Sequence, residues 1–106
     1  NKVEDYGIGF YTKYGDGGVD IAPIADLYKT EVRELGWHLG VDALIIDAKP
    51  TDGLWDDGRS DEDQIGATYA ELEEAMESGT GNAVDILSRF NRQNRHKMQP
   101  IPTFKL

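Results

Sequence analysis

Apolar residues recur at helical spacing in several separate stretches of this chain, and the polar residues between them mark where each helix should start and stop. Over residues 1–10, Val3, Tyr6 and Phe10 fall three and four positions apart, with Asn1 placed as a cap and Glu4 and Asp5 in the first turn. The pattern predicts a short helix, weakened in its second half by Gly7 and Gly9, that breaks before residue 11. Leu27, Val32, Leu35 and Leu39 predict the firmest helix, over 27–39, with Glu31 and Glu34 on its polar side and Gly40 as its stop. A shorter helix is expected over 41–48, where Leu44, Ile45 and Ile46 are too consecutive to define one clean face. Ser60 with Asp63, and Thr68 with Glu71, have the spacing of helix-opening caps. The second pair introduces a helix from Tyr69 to about Glu77 that ends at Gly79. Asn82 is the expected cap of the last helix, in which Ala83, Ile86, Leu87 and Phe90 share one face and Arg89, Arg92 and Arg95 make the opposite face basic. From His96 to Pro102 the chain should be extended.

The stretches between these helices carry the less regular signals. Val19 to Ile24 is apolar but interrupted by Asp20 and Pro23, which predicts an irregular extended segment. A carboxylate among Val19, Ile21 and Ile24 should be desolvated, and then either satisfied by backbone donors or used to contact a ligand. Residues 49–60 combine a proline, two glycines, a tryptophan and a cluster of charges, and predict a long loop able to act as a lid. A calcium loop is excluded there by register: with Gly58 as the loop glycine, the first and closing ligand positions fall on Gly53 and Gln64. Ser78 to Asn82 reads as an inter-helix turn, and Gly7 with Gly9 lacks the third glycine of a dinucleotide signature. His38 has no second ligand four residues away and is expected as a surface or half-buried side chain, while Trp37 is expected to pack.

Composition narrows the function classes. The 106 residues suit one domain, and 20 acidic against 11 basic side chains give a formal charge of −9. That balance argues against nucleic acid or an anionic membrane as a partner. With no cysteine, disulfides, thiolate metal sites and thiol nucleophiles are ruled out. No apolar run approaches the roughly 18 residues of a membrane span, so the expectation is a soluble, cytoplasmic protein.

The densest chemistry lies in Tyr11 to Thr30. Gly15, Gly17 and Gly18 permit positive φ and close approach of a ligand to the main chain, and Lys13 and Lys29 flank the turn as two cations suited to an anion.

Three separated blocks in this order resemble ammonia-dependent NAD synthetases, members of the ATP-pyrophosphatase group. The first is Thr12-Lys13-Tyr14-Gly15-Asp16-Gly17-Gly18 with Asp20, Pro23, Leu27 and Lys29. The second is Pro50-Thr51-Asp52-Gly53-Leu54-Trp55 followed by Ser60-Asp61-Glu62 and Gly66, similar to that family's mobile active-site loop. The third is Arg95-His96-Lys97 with the proline-rich close. The resemblance implies an α/β fold of the Rossmann-like adenine-nucleotide alpha-hydrolase type, with residues 1–106 as its mainly helical C-terminal portion. The phosphate-loop part and most parallel strands would lie upstream. It implies adenylation of deamido-NAD by ATP with Mg2+, release of pyrophosphate, and displacement of AMP by ammonia, in a homodimer, with this portion inactive alone. It further implies Glu4 as the metal ligand, with Asp5 as a rival because one extra residue separates Glu4 from Lys13. Lys13, Asp20, His96 and Lys97 would contact deamido-NAD, with Lys13 and Asp20 near the reacting end. Lys29 and Thr51 would contact ATP. Two other readings stay open: another ATP-pyrophosphatase amidotransferase, and a noncatalytic helical interaction module.

Overall fold

Asn1 opens the chain by accepting the N–H groups of Val3 and Glu4 on its side-chain oxygen, at 3.2 and 3.3 Å. The turn it starts, Val3–Ile8, is wound as a π-helix. Gly7 does not break it. A Cβ on Gly7 would meet Met76 Sδ at 2.7 Å, so the glycine is there to let this turn lie against its neighbours, and Gly9 at φ 64° ends the turn instead.

The computed structural model describes residues 1–106, and its remaining helices are α1 (Lys29–His38), α2 (Ala43–Ile46), α3 (Asp61–Ile65), α4 (Tyr69–Ser78) and α5 (Val84–Asn94), followed by a 3₁₀ turn at Arg95–Met98. It contains no strand. The opening turn is wedged between α4 and α5. Val3, Ile8, Tyr28, Ile65, Ala67, Tyr69, Leu72, Ala75 and Ala83 form the buried centre, and Phe10, Met76, Val84, Ile86, Leu87 and Phe90 pack against it. The apolar face read in α5 is therefore the one it buries, and Arg89, Arg92 and Arg95 are exposed.

Both predicted caps form. Ser60 Oγ accepts Asp63 N–H at 3.1 Å and Asp63 returns a carboxylate to Ser60 N–H at 2.8 Å. Thr68 and Glu71 repeat the exchange at 3.2 and 2.8 Å. Asn82 does not cap α5. It lies in the preceding turn, and buried Ala83 occupies the cap position, its carbonyl taking Leu87 N–H at 2.8 Å.

Three further expectations are corrected. First, α1 begins at Lys29, two residues after Leu27, and buries none of its residues; Trp37 is 56% exposed and so is not packed. Second, α2 is only four residues long, capped by Asp42, which accepts Leu44 N–H at 2.8 Å. Third, residues 95–98 are coiled, because Asn94 and Lys97 donate to the carbonyls of Ile8 and Gly9 at 2.9 and 3.0 Å and draw the chain back onto the opening turn. His38 lies at the surface, as its isolation predicts.

Candidate functional site

The glycine-rich turn is held by its own backbone: Gly15 and Gly17 N–H donate to Thr12 carbonyl at 3.2 and 3.0 Å, and Gly18 to Gly15 carbonyl at 3.0 Å. None of the three glycines has positive φ. Their requirement is close approach, since a Cβ on Gly17 would stand 2.6 Å from Lys13 carbonyl and one on Gly18 2.7 Å from Tyr14 carbonyl. The tightened turn presents Lys13 toward the end of the chain, where its ammonium donates to the carbonyls of His96, at 2.7 Å, and Gln99. Tyr11 adds a third tie, donating its hydroxyl to Lys97 carbonyl at 3.0 Å. An ammonium has three N–H groups, so two carbonyls fix the direction of Lys13 and leave one donor for a ligand.

The turn and the segment after it as far as Ala25, the opening helix, Thr51 and Asp52 of the 49–60 loop, and the chain end line an open cleft of about 770 Å³. It is lined by Glu4, Asp5, Lys13, Thr51, Asp61 and Lys97 among others. A cavity of that size accommodates a nucleotide-sized ligand. Four of the predicted site residues, Glu4, Lys13, Thr51 and Lys97, thus come together on one surface from three regions of the sequence. Asp5 lines the cleft too, but only Glu4 is engaged from beneath, by the Tyr69 hydroxyl.

Asp20, Lys29 and His96 do not line the cleft. Asp20 is exposed, and Val19, Ile21 and Ile24 are 57, 76 and 43% exposed, so the expected desolvation of this carboxylate is absent. Val19 and Ile21 on either side of it line the cleft, but Asp20 itself does not. His96 contributes its backbone carbonyl to Lys13 while its ring is exposed. Lys29 is half-buried, its ammonium 5.6 Å from the centre of the Tyr69 ring.

Tyr69 and Asp61 are functional candidates that the pattern of the sequence did not single out. The Tyr69 hydroxyl donates to Glu4 and lies 3.5 Å from Asp61 Oδ2. Burial, then the hydrogen bond to Glu4, pushes the Tyr69 hydroxyl well above its ordinary value and keeps it a donor. Asp61 is 8% exposed and its Oδ1 has no partner. Burial, followed by repulsion from Glu4 and Asp52, raises its carboxyl. Asp61 stands in the second family-like block, Ser60-Asp61-Glu62, and the Ser60–Asp63 cap sets it at the first position of α3, but neither signal assigns it a role. A hard divalent cation is usually held by one or two carboxylates plus substrate phosphates, and Glu4 with the orphaned Asp61 oxygen suits that donor set. No cluster of three ligating side chains stands ready.

The 49–60 loop is irregular, as predicted. Asp61 N–H anchors its far end to Pro50 carbonyl at 2.9 Å. Arg59 stacks 4.2 Å from the Trp55 ring centre and pairs with Asp57 at 2.5 Å, which holds the Asp57 carboxyl below its usual range.

Residues 1–101 match the family model described as NAD synthase. The chain belongs to the NAD synthase family. An NH(3)-dependent NAD(+) synthetase of Archaeoglobus fulgidus is 54% identical over 105 residues, covering 93% of this chain and 42% of the relative. One from Carboxydothermus hydrogenoformans is 45% identical over 92 residues, covering 85% of this chain and 37% of the relative. The chain therefore spans about two fifths of the length of these NAD synthetases. A solved structure of NMN synthetase from Francisella tularensis superposes on the whole chain with a TM-score of 0.82 at 38% identity, and the chain covers 44% of it. Family and neighbour together support a Rossmann-like nucleotide-binding fold, within which residues 1–106 are helical.

Proposed function

We propose that this chain is the C-terminal portion of an ammonia-dependent NAD synthetase, a cytoplasmic, homodimeric ligase that amidates deamido-NAD at the expense of ATP. The observation that carries the reading is the convergence of Glu4, Lys13, Thr51 and Lys97 on one cleft. The nicotinate carboxylate attacks the α-phosphorus of ATP, pyrophosphate leaves, and ammonia then adds to the acyl-adenylate carbonyl and expels AMP, losing a proton as the amide forms. Two polyanions have to be brought together, so positive groups fixed in advance supply most of what the protein contributes. Lys13, aimed by the carbonyls of His96 and Gln99, faces deamido-NAD, and Lys97 and His96 serve the same ligand farther out. Thr51 serves the phosphates of ATP, and Lys29, which does not line the cleft, is assigned the same role on family resemblance. Glu4, supported by Tyr69, would hold Mg2+, whose part is to neutralise phosphate charge. Asp20, exposed in this chain, is assigned to the reacting end of deamido-NAD on family resemblance. The loop carrying Thr51 and Trp55 would shield the acyl-adenylate from water. Residues 1–106 alone are expected to be inactive.

The test is Lys13→Ala in the full-length protein, with ammonia, MgATP and deamido-NAD. Formation of NAD should fall by at least ~100-fold, as on loss of a group that positions and neutralises the reacting anion, while circular dichroism stays unchanged. Unaltered turnover would count decisively against the assignment. The likeness to an NMN synthetase structure supports a second reading, amidation of nicotinate mononucleotide. Comparing kcat/KM for the two acids separates them.

A further inference from the structure

The cap of α1 is not local. Its preceding residue, Tyr28, has no short side-chain oxygen to offer, and although Glu31 reaches back to Tyr28 N–H at 2.7 Å, the N–H of Thr30 needs another acceptor. Glu73, on α4, provides it. One carboxylate oxygen accepts Thr30 N–H at 3.1 Å and the other accepts Thr30 Oγ at 2.7 Å. Glu73 is 9% exposed and takes no part in lining the cleft. One helical turn earlier on the same face of α4, the Tyr69 ring underlies the ammonium of Lys29 at 5.6 Å. Lys29 is the residue immediately before Thr30, and its ammonium forms no ion pair with any carboxylate.

From this bracket we infer that Glu73 is a positioning residue for nucleotide binding, fixing the first turn of α1 through Thr30 so that Lys29 stays over Tyr69, within the field of Asp61 but in no ion pair. The inference rests on Lys29 being an ATP contact. A buried carboxylate is costly to keep, and here it is spent on two hydrogen bonds that set the start of a helix none of whose residues is buried. Core packing reaches only the residue before α1, Tyr28, and no residue within the helix. Glu73 clamps it, and an error in its placement would be transmitted directly to the neighbouring lysine. Glu73 itself touches no ligand.

The experiment measures binding of the ATP analogue α,β-methylene-ATP to the full-length protein by calorimetry, for wild type, Lys29→Ala, Glu73→Gln, Thr30→Val and the two double variants with Lys29→Ala. Glu73→Gln and Thr30→Val should each weaken the analogue about tenfold, the size expected for losing a hydrogen bond to a buried charge. Each should cost nothing further once Lys29 is alanine. Thr30→Val keeps the shape of the side chain and removes only its hydroxyl, so it reports the clamp if Glu73→Gln loosens the fold. Additive losses in the double variants, or unchanged affinity in both single ones while Lys29→Ala binds weakly, would overturn the positioning role alone. Should Lys29→Ala bind the analogue as wild type does, the assignment of Lys29 as an ATP contact fails and the inference goes with it.

Discussion

At the residue scale, Lys13, Thr51 and Lys97 are legible from three blocks that resemble one family, and Glu4 from the same resemblance with Asp5 as its rival; the fold brings all five to one cleft. Lys13 sits in a turn that tolerates only glycine at positions 17 and 18, where a Cβ would strike backbone carbonyls. Asp20 shows the limit of the same reasoning. Its apolar neighbours suggested burial, but sequence adjacency says nothing about whether a third element comes to cover them, and none does. Asp61 shows the reverse: a carboxylate among other acids looks solvated, yet tertiary packing buries it beside Glu4 and Tyr69. Its pKa is raised in the folded chain, so the neutral acid suits the fold better than the anion. Its contribution to stability is present below the unfolded value of about 3.9 and is lost as pH rises through the folded value. Asp61→Asn, which stays neutral, should match wild type in urea unfolding at acid pH and be the more stable protein at neutral pH. A wild type that gains on the variant as pH rises would contradict the sign.

At the scale of elements, capping boxes were the most legible feature, because donor and acceptor lie three residues apart and need nothing from the rest of the fold. Thr68 holds Glu71 N–H, and Glu71 in return is kept below its ordinary carboxylate range by the Thr68 N–H. Thr68→Ala should cost about 1 kcal/mol, measured by chemical denaturation, with the loss concentrated in amide exchange of α4. The starts of α1 and α5 and the winding of the opening turn were not legible, because each is decided by a distant partner. Burial of Tyr28 and the carboxylate of Glu73 on Thr30 lie at the start of α1, and buried Ala83 takes the cap position of α5 in place of Asn82. Met76 and Leu87 press on Gly7, where a Cβ would stand 2.7 Å from the Met76 sulfur, so this glycine serves packing and the turn continues through it. The basic tail is coiled for the same kind of reason: carbonyls freed where the opening turn ends are taken by Asn94 and Lys97.

At the scale of the whole molecule, the helical content is correct but the burial is one-sided. Opening turn, α3, α4 and α5 share a core, whereas Leu39, Leu44 and Ile45 on the α1–α2 side are 72, 85 and 69% exposed. The radius of gyration is 15.0 Å, against about 13 Å for an ordinary domain of this length. Only 15 of 106 residues are buried. A sequence pattern can state that these positions are apolar, but it cannot state what covers them, and in NAD synthase relatives the chain is only about two fifths of the protein. Apolar area left in water lowers the free energy gained on folding by about 25 cal/mol per Å². Residues 1–106 expressed alone should therefore bind a hydrophobic dye such as ANS at neutral pH. Amide exchange should be fast across α1 and α2 and slowest in α4 and α5, where Leu72 is wholly buried and Leu87 packs against the core. In the full-length protein, the dye signal should fall and protection should spread to α1. Dye binding that is equally low in both, with uniform protection in the isolated chain, would mean that the α1–α2 surface is tolerated in water and needs no cover.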